Sequence, residues 1–157
     1  MSPCRVYVTQ YARNGDATAE LPAHLPRRWE LCVQTERHTA GGIMSRGTSF
    51  KISGAFGGPW GYRCDPNREY ANDKAWAGSV YVGTVDDADI PRIDQLLRTI
   101  RLRTGEPAWH SHDWVWEGLL LLRQNGYRLD LPTTFQAMQT KMQAVRDEKW
   151  QVGNDSD

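Results

Sequence analysis

Alternation of apolar and polar side chains dominates the first half of the chain and predicts β-strands. The alternating segments are residues 4–11, 29–35, 43–53 and 78–85. Two glycines, Gly41 and Gly42, separate the second segment from the third, which is typical of a hairpin connection. We therefore expect a mainly antiparallel sheet within the first 85 residues.

Turn-forming residues mark the connections between these strands. Pro22 and Pro26 indicate that residues 12–28 form a loop. The glycine-rich run over residues 54–61 lacks the Lys-Ser or Lys-Thr pair of a phosphate-binding loop, so it predicts turns. Residues 62–66, which end on a proline, are expected to continue as a turn.

Helical periodicity replaces the alternation after residue 85. Asp89 and Pro91 signal the start of a first helix. The expected helices cover residues 90–103, 111–125 and 133–149. The second helix is apolar nearly all round its axis, so it should be central and buried. The predicted fold class is therefore α+β, with a mainly antiparallel sheet packed against a central helix.

Length and composition favour one globular domain. The chain has 157 residues, of which 39% are hydrophobic and 24% charged, and we expect a single domain over residues 1–150 with a flexible polar tail over 151–157. Basic and acidic residues number 19 each, so no net field attracts nucleic acid. Without a membrane-length apolar run or a secretory signal, the protein is expected in the cytoplasm, with no membrane partner.

The cysteines predict neither a disulfide framework nor a metal site. Cys4, Cys32 and Cys64 are widely spaced and form no C-x-x-C pair, so we expect reduced thiols that are mostly packed in the core. The sequence contains no motif typical of a cofactor, and none is expected.

Chemistry is predicted for residues 109–117, which hold two of the four histidines and three of the seven tryptophans. This segment opens the second helix, where unpaired backbone N–H groups favour negative charge. Ser111 has the side chain of an N-cap, and Asp113 would follow it in the first turn. Metal binding by His110, His112 and Asp113 is not favoured, because two histidines two positions apart diverge at a helix start.

The order of these patterns over residues 29–126 resembles that of small uncharacterised fungal proteins. The residues that carry the resemblance are Trp29-x-Leu31-x-Val33, the strand at 80–85 and Trp109-x-x-x-Asp113-Trp114-Val115. Those proteins have Trp-Asn-Cys-Gln-Asp-Trp-Val at the helix start, in a layout similar to circularly permuted papain-like thiol hydrolases of the NlpC or PPPDE type. The resemblance implies a papain-like core with a nucleophilic cysteine and a histidine base.

Ser111 stands where the resembling proteins have the cysteine, which leaves three interpretations open. The chain is a serine hydrolase variant, a degenerate fold kept for binding or another reaction, or an engineered Cys→Ser form. A serine nucleophile needs a histidine base. The candidate bases are His110, His112 and His38, while His24 lies in the earlier proline-containing loop.

Two functions follow from these residues. The first is a small intracellular enzyme, for example of a biosynthetic pathway. It would perform hydrolysis, acyl transfer or histidine acid–base chemistry on a small-molecule or peptide-like substrate bound beside Trp60, Trp109 and Trp114. The second is a domain that binds a ligand or a protein in the same aromatic pocket without a reaction. The sequence does not define the oligomeric state.

Overall fold

A computed structural model of the chain describes residues 2–12, 27–38, 44–54, 58–70, 73–145 and 150–151. The strands are β1 (Pro3–Tyr11), β2 (Arg28–His38), β3 (Met44–Ser53), β4 (Gly61–Arg68), β5 (Trp76–Asp86) and β6 (Trp150–Gln151). The helices are α1 (Ile90–Leu97), α2 (Ser111–Gln124) and α3 (Phe135–Ala144). The predicted α+β class is confirmed.

The strands form one sheet in the order β4-β3-β2-β1-β5-β6. The first four strands pair with their sequence neighbours, and β5 returns to the free side of β1. All of these pairs are antiparallel, whereas the short β6 runs parallel to β5. Gln151, which was expected in the polar tail, is therefore part of the sheet, and residues 152–157 lie outside the described residues.

The expectation of a turn at residues 62–66 was wrong, because these residues belong to β4. Tyr62 lies opposite Ile52, and Cys64 lies opposite Phe50. A strand tolerates Pro66 here because β4 is at the edge of the sheet and the ladder shifts its register beside that residue.

The first and third helices are shorter than the periodicity predicts. A 3₁₀ turn over Asp87–Asp89 leads into α1. That helix ends at Leu97 because the Thr99 hydroxyl and N–H both donate to the Leu96 carbonyl, at 2.6 and 3.0 Å, and tighten the last turn. The third helix begins after its cap, Thr134, whose hydroxyl accepts from Ala137 N–H at 3.1 Å.

The second helix is central and buried, as predicted. Trp114, Val115 and Leu119 are 0% exposed, and the helix packs on β2, β3 and α1. A Cβ at Gly118 would lie 2.9 Å from Leu97 Cδ2, so the missing side chain allows α1 to approach closely. This packing fixes the N-terminus of α2 against the start of β2.

Both faces of the sheet are buried. The face toward the helices carries the main apolar core, which includes Val8, Leu31 and Phe50. The opposite face has a smaller cluster of Tyr11, Cys32, Tyr70, Ala75 and Trp76. Within the described ranges, no helix is long and apolar enough to cross a bilayer.

Several predicted features cannot be placed. The loop at residues 13–26, which contains His24, lies outside the described residues. The same is true of the glycine pair Gly41 and Gly42 and of residues 55–57 and 146–149.

Candidate functional site

The N-cap of α2 is His110, so the expectation that Ser111 is the cap was wrong by one residue. His110 has an extended backbone, and its Nδ1 accepts from the His112 N–H at 3.3 Å. The Asp113 Oδ2 accepts in return from the His110 N–H at 3.0 Å. These two bonds form a capping box, in which the imidazole nitrogen accepts the backbone N–H in place of the usual serine hydroxyl.

Ser111 is the first residue inside the helix and is only 1% exposed. Its Oγ accepts a hydrogen bond from the backbone N–H of Trp29 at 3.1 Å, which joins α2 to the start of β2. Within the described part of the chain, no histidine nitrogen is hydrogen-bonded to this hydroxyl. The hydrogen bond from Trp29 gives Ser111 a structural contact between α2 and β2.

His112 is packed between β2 and the helix start. Its ring stacks on the Trp29 indole with centroids 3.8 Å apart and an interplanar angle of 19°. Its Nε2 lies 2.6 Å from the carbonyl oxygen of Arg27. A carbonyl only accepts hydrogen bonds, so Nε2 carries a proton, and in the neutral form of the ring Nδ1 is the acceptor nitrogen.

His110 lies beside it, with the two ring centroids 4.6 Å apart in an edge-to-face arrangement. Because His110 Nδ1 accepts the backbone N–H of His112, its proton lies on Nε2, which is 4.0 Å from Asp113 Oδ2. We call His110 and His112 the histidine pair. One ring has a donor N–H at the helix start, and the other has an acceptor nitrogen.

The three tryptophans predicted to bind a ligand are core residues. Trp114 is 0% exposed and contacts Tyr62. Trp60 and Trp109 are 9% and 5% exposed and meet edge to face at 6.3 Å. Their burial stabilises the helix start and leaves little indole surface for a ligand.

His38 is not brought to Ser111. Its backbone lies at the end of β2, opposite Met44, whereas Ser111 contacts Trp29 at the other end of that strand. Nine residues of strand separate these positions by about 30 Å, given a rise of ~3.3 Å per residue. His24 lies outside the described residues.

Cys64 is a poor alternative nucleophile. Burial, and after it the Asp94 carboxylate, raises the pKa of this thiol, so less of the reactive thiolate is present. Cys4 and Cys32 are buried, and all three thiols are free. Among the described residues, no group of three or more histidine, cysteine, aspartate or glutamate side chains is arranged to hold a metal ion.

The sequence pattern indicated the histidine pair and Asp113 but not their partners at and just before the start of β2. Trp29 supplies both the stacking surface for His112 and the N–H that Ser111 accepts, and Arg27 supplies the carbonyl that fixes the tautomer. No family model, curated protein or solved structure matches the chain. The assignment of function therefore depends on this geometry.

Proposed function

We propose that the protein is a small enzyme in which the histidine pair performs acid–base chemistry on a small-molecule or peptide-like substrate. The observation that carries this proposal is the close approach of the two rings, with centroids 4.6 Å apart, together with the contacts of His110 Nδ1 with the His112 N–H and of His112 Nε2 with the Arg27 carbonyl. Two neutral imidazoles that present a donor and an acceptor can move two protons in one step, and histidine is the usual side chain for such transfers near neutral pH.

Each histidine has a separate role. His112 Nδ1, a buried atom, is the proposed proton acceptor, and the Arg27 carbonyl, which accepts from Nε2–H, stabilises the resulting imidazolium. His110 Nε2–H donates to the atom on which negative charge develops. Asp113 holds the His110 backbone and stabilises its orientation.

Ser111 is a positioning residue in this proposal. Its bond to Trp29 N–H keeps the helix start, and with it both histidines, against β2. We also propose that the fold is a papain-like core whose thiol chemistry has been replaced. This second statement is supported by the central helix that begins against an antiparallel sheet and by the position of Ser111 within the motif.

The proposal is tested with 5-nitrobenzisoxazole, whose ring opens when a base removes its C3 proton. The C–H electron pair forms the nitrile, the N–O bond breaks and a phenolate is released, so a base is the only requirement. We expect His112→Gln to lower the rate by about 10²-fold or more, as for loss of a general base. Gln keeps an N–H for the Arg27 carbonyl and a flat surface against Trp29.

The controls separate this chemistry from a serine mechanism. His38→Gln removes a histidine far from the helix start and should leave the rate unchanged. Ser111→Ala removes only a positioning bond, so it should lower the proton-abstraction rate much less than His112→Gln does, and it should show no difference from wild type with p-nitrophenyl acetate. A burst of nitrophenol from wild type that disappears only in Ser111→Ala would contradict the proposal and restore the acyl-transfer mechanism.

A domain that binds without a reaction is the second candidate, and one observation favours it. His112 is 8% exposed, which limits the access of a substrate to its ring. If wild type and His112→Gln open the benzisoxazole at equal rates, this candidate replaces the enzyme.

A further inference from the structure

A second cluster of chemical groups lies on the opposite face of the sheet from the helices. Leu31 belongs to the helix-facing core, so its neighbours in the strand, Glu30 and Cys32, point to the other face. Glu30 is fully buried there. We define the Glu30 cluster as Arg28, Glu30, Ser49, Lys51 and Arg68.

Three basic side chains surround this one carboxylate. Arg28 Nε lies 3.3 Å from Glu30 Oε2, and Lys51 Nζ lies 3.8 Å from the same oxygen. Arg68 Nε lies 3.7 Å from Oε1. The shortest contact of Glu30 is with a neutral group, the Ser49 hydroxyl, which donates to Oε1 at 2.6 Å.

The positive charge of the cluster exceeds its negative charge. Arg68 has a second partner, Asp73, at 2.9 Å, whereas within the described residues Arg28 and Lys51 form ion pairs with Glu30 alone. Among the described residues, these three cations therefore pair with two carboxylates, which leaves one positive charge in excess in a partly buried place. Such an excess costs free energy unless an anion balances it.

Two further features match an anion at this position. The guanidinium carbons of Arg28 and Arg68 lie 5.4 and 4.8 Å from the centre of the Tyr11 ring, so one buried aromatic ring holds both planar groups. Tyr11 itself is 0% exposed. The cations are 17–37% exposed, while Glu30 lies behind them at 0%.

We propose that the Glu30 cluster is a binding site for a small molecule with a carboxylate group. A single excess positive charge would be balanced by a monoanion. The planar guanidinium groups of two arginines can donate paired hydrogen bonds to the two oxygens of a carboxylate. The ligand carboxylate would accept from Lys51 and the two guanidinium groups on their exposed side. This site is separate from the histidine pair and does not depend on the proposed enzyme.

The test is a titration with sodium acetate, with sodium chloride as the reference at equal ionic strength. The readout is the set of arginine Nε–H resonances in two-dimensional NMR spectra. We expect saturable shifts for Arg28 and Arg68 with acetate but not with chloride. The resonance of Arg98, which pairs with Asp94 on α1, should stay unchanged as an internal control.

Variants at Lys51 make the test specific. Lys51→Met should weaken acetate binding about tenfold, the loss expected for one hydrogen bond to a charged group. Lys51→Arg keeps the charge and should keep the binding, and Lys74→Met is the matched control at an exposed lysine.

Three results would overturn the proposal. These are equal responses to acetate and chloride, equal weakening by Lys51→Met and Lys74→Met, and saturable binding of inorganic phosphate without binding of acetate. If Lys51→Met does not fold, the wild-type titration and the Lys51→Arg variant still decide the question.

Discussion

At the scale of single residues, the Ser111 hydroxyl is expected to contribute to stability rather than to chemistry. Ser111→Ala leaves the Trp29 N–H buried without its acceptor, which should lower the free energy of unfolding by about 1–3 kcal/mol. Urea unfolding measures this loss, with the exposed Ser53→Ala as the control. A loss no larger than that of the control would show that the contact between α2 and β2 is unimportant.

His110 combines a cap with a chemical group, and two substitutions separate these roles. His110→Ala removes the cap and should cost about 0.5–2 kcal/mol of unfolding free energy. His110→Asn keeps a good capping side chain, so it should retain stability while it loses the Nε2–H donor. Thermal melts and the benzisoxazole rate distinguish the two variants. If both are equally stable, the capping box contributes nothing.

The capping box illustrates how much of the site the sequence could reveal. The spacing His110-x-x-Asp113 was visible, but the usual ranking of capping residues favours the serine that follows. The contact of Ser111 with Trp29 joins positions 82 residues apart, and no local pattern encodes it. Composition therefore located the segment, whereas the tautomers and their partners required coordinates.

At the scale of elements, Gly47 controls the approach of β3 to β2. A Cβ at this position would lie 2.3 Å from the Val33 carbonyl oxygen, a backbone atom that cannot move without disrupting the ladder. Gly47→Ala should therefore destabilise the protein by more than about 3 kcal/mol, which is exceptional for so small a change. Chemical denaturation followed by tryptophan fluorescence measures the effect.

Gly61 provides the matched control for that substitution. It lies in the edge strand β4, where a Cβ would meet only the Ser53 hydroxyl at 3.8 Å. Gly61→Ala should change stability by less than about 0.5 kcal/mol, the usual range for surface positions. If Gly47→Ala loses as little unfolding free energy as Gly61→Ala, the close approach of β3 to β2 at Gly47 is not required.

Element types were more predictable than element ends. Alternation identified β1, β2, β3 and β5 because each carries apolar residues on one face. It missed β4, since Pro66 is a turn signal unless the strand lies at an edge, and that position depends on sheet order. The early end of α1 depends on the Thr99 hydroxyl, which competes with the helix hydrogen bonds.

At the scale of the whole molecule, buried acids on the second face of the sheet should make the protein sensitive to alkali. Burial raises the pKa of Tyr11 and of Cys32, and the Glu30 carboxylate raises both further. The folded chain therefore holds protons that the unfolded chain releases from about pH 8.5 for cysteine and about pH 10 for tyrosine. The free energy of unfolding should fall as pH rises through this range.

Urea unfolding between pH 7 and pH 10.5 tests that expectation. Tyr11→Phe removes one of the protons concerned, so its stability should decline less steeply than that of wild type. Tyr81→Phe, at a partly exposed position on β5, is the control. An equal decline in wild type and Tyr11→Phe would exclude Tyr11 as a cause.

The overall architecture could be predicted only in part. The switch from alternation to helical periodicity gave the α+β class and the central helix, which the structure confirms. Alternation does not indicate that the second face of the sheet is buried as well. For the same reason, the return of β5 to β1 and the charge excess around Glu30 depend on contacts that the sequence pattern does not contain.

The positions of the ring protons show whether the histidine pair has the complementary nitrogens that the proposed acid–base chemistry needs. Long-range ¹H–¹⁵N NMR spectra distinguish protonated from bare ring nitrogens, and His110→Asn and His112→Gln assign the two rings among the four histidines. At a pH where both imidazoles are neutral, we expect protons on Nε2 of both rings and bare Nδ1 nitrogens. A proton on Nδ1 of His112 would remove the proposed base and rule out the proposed acid–base chemistry.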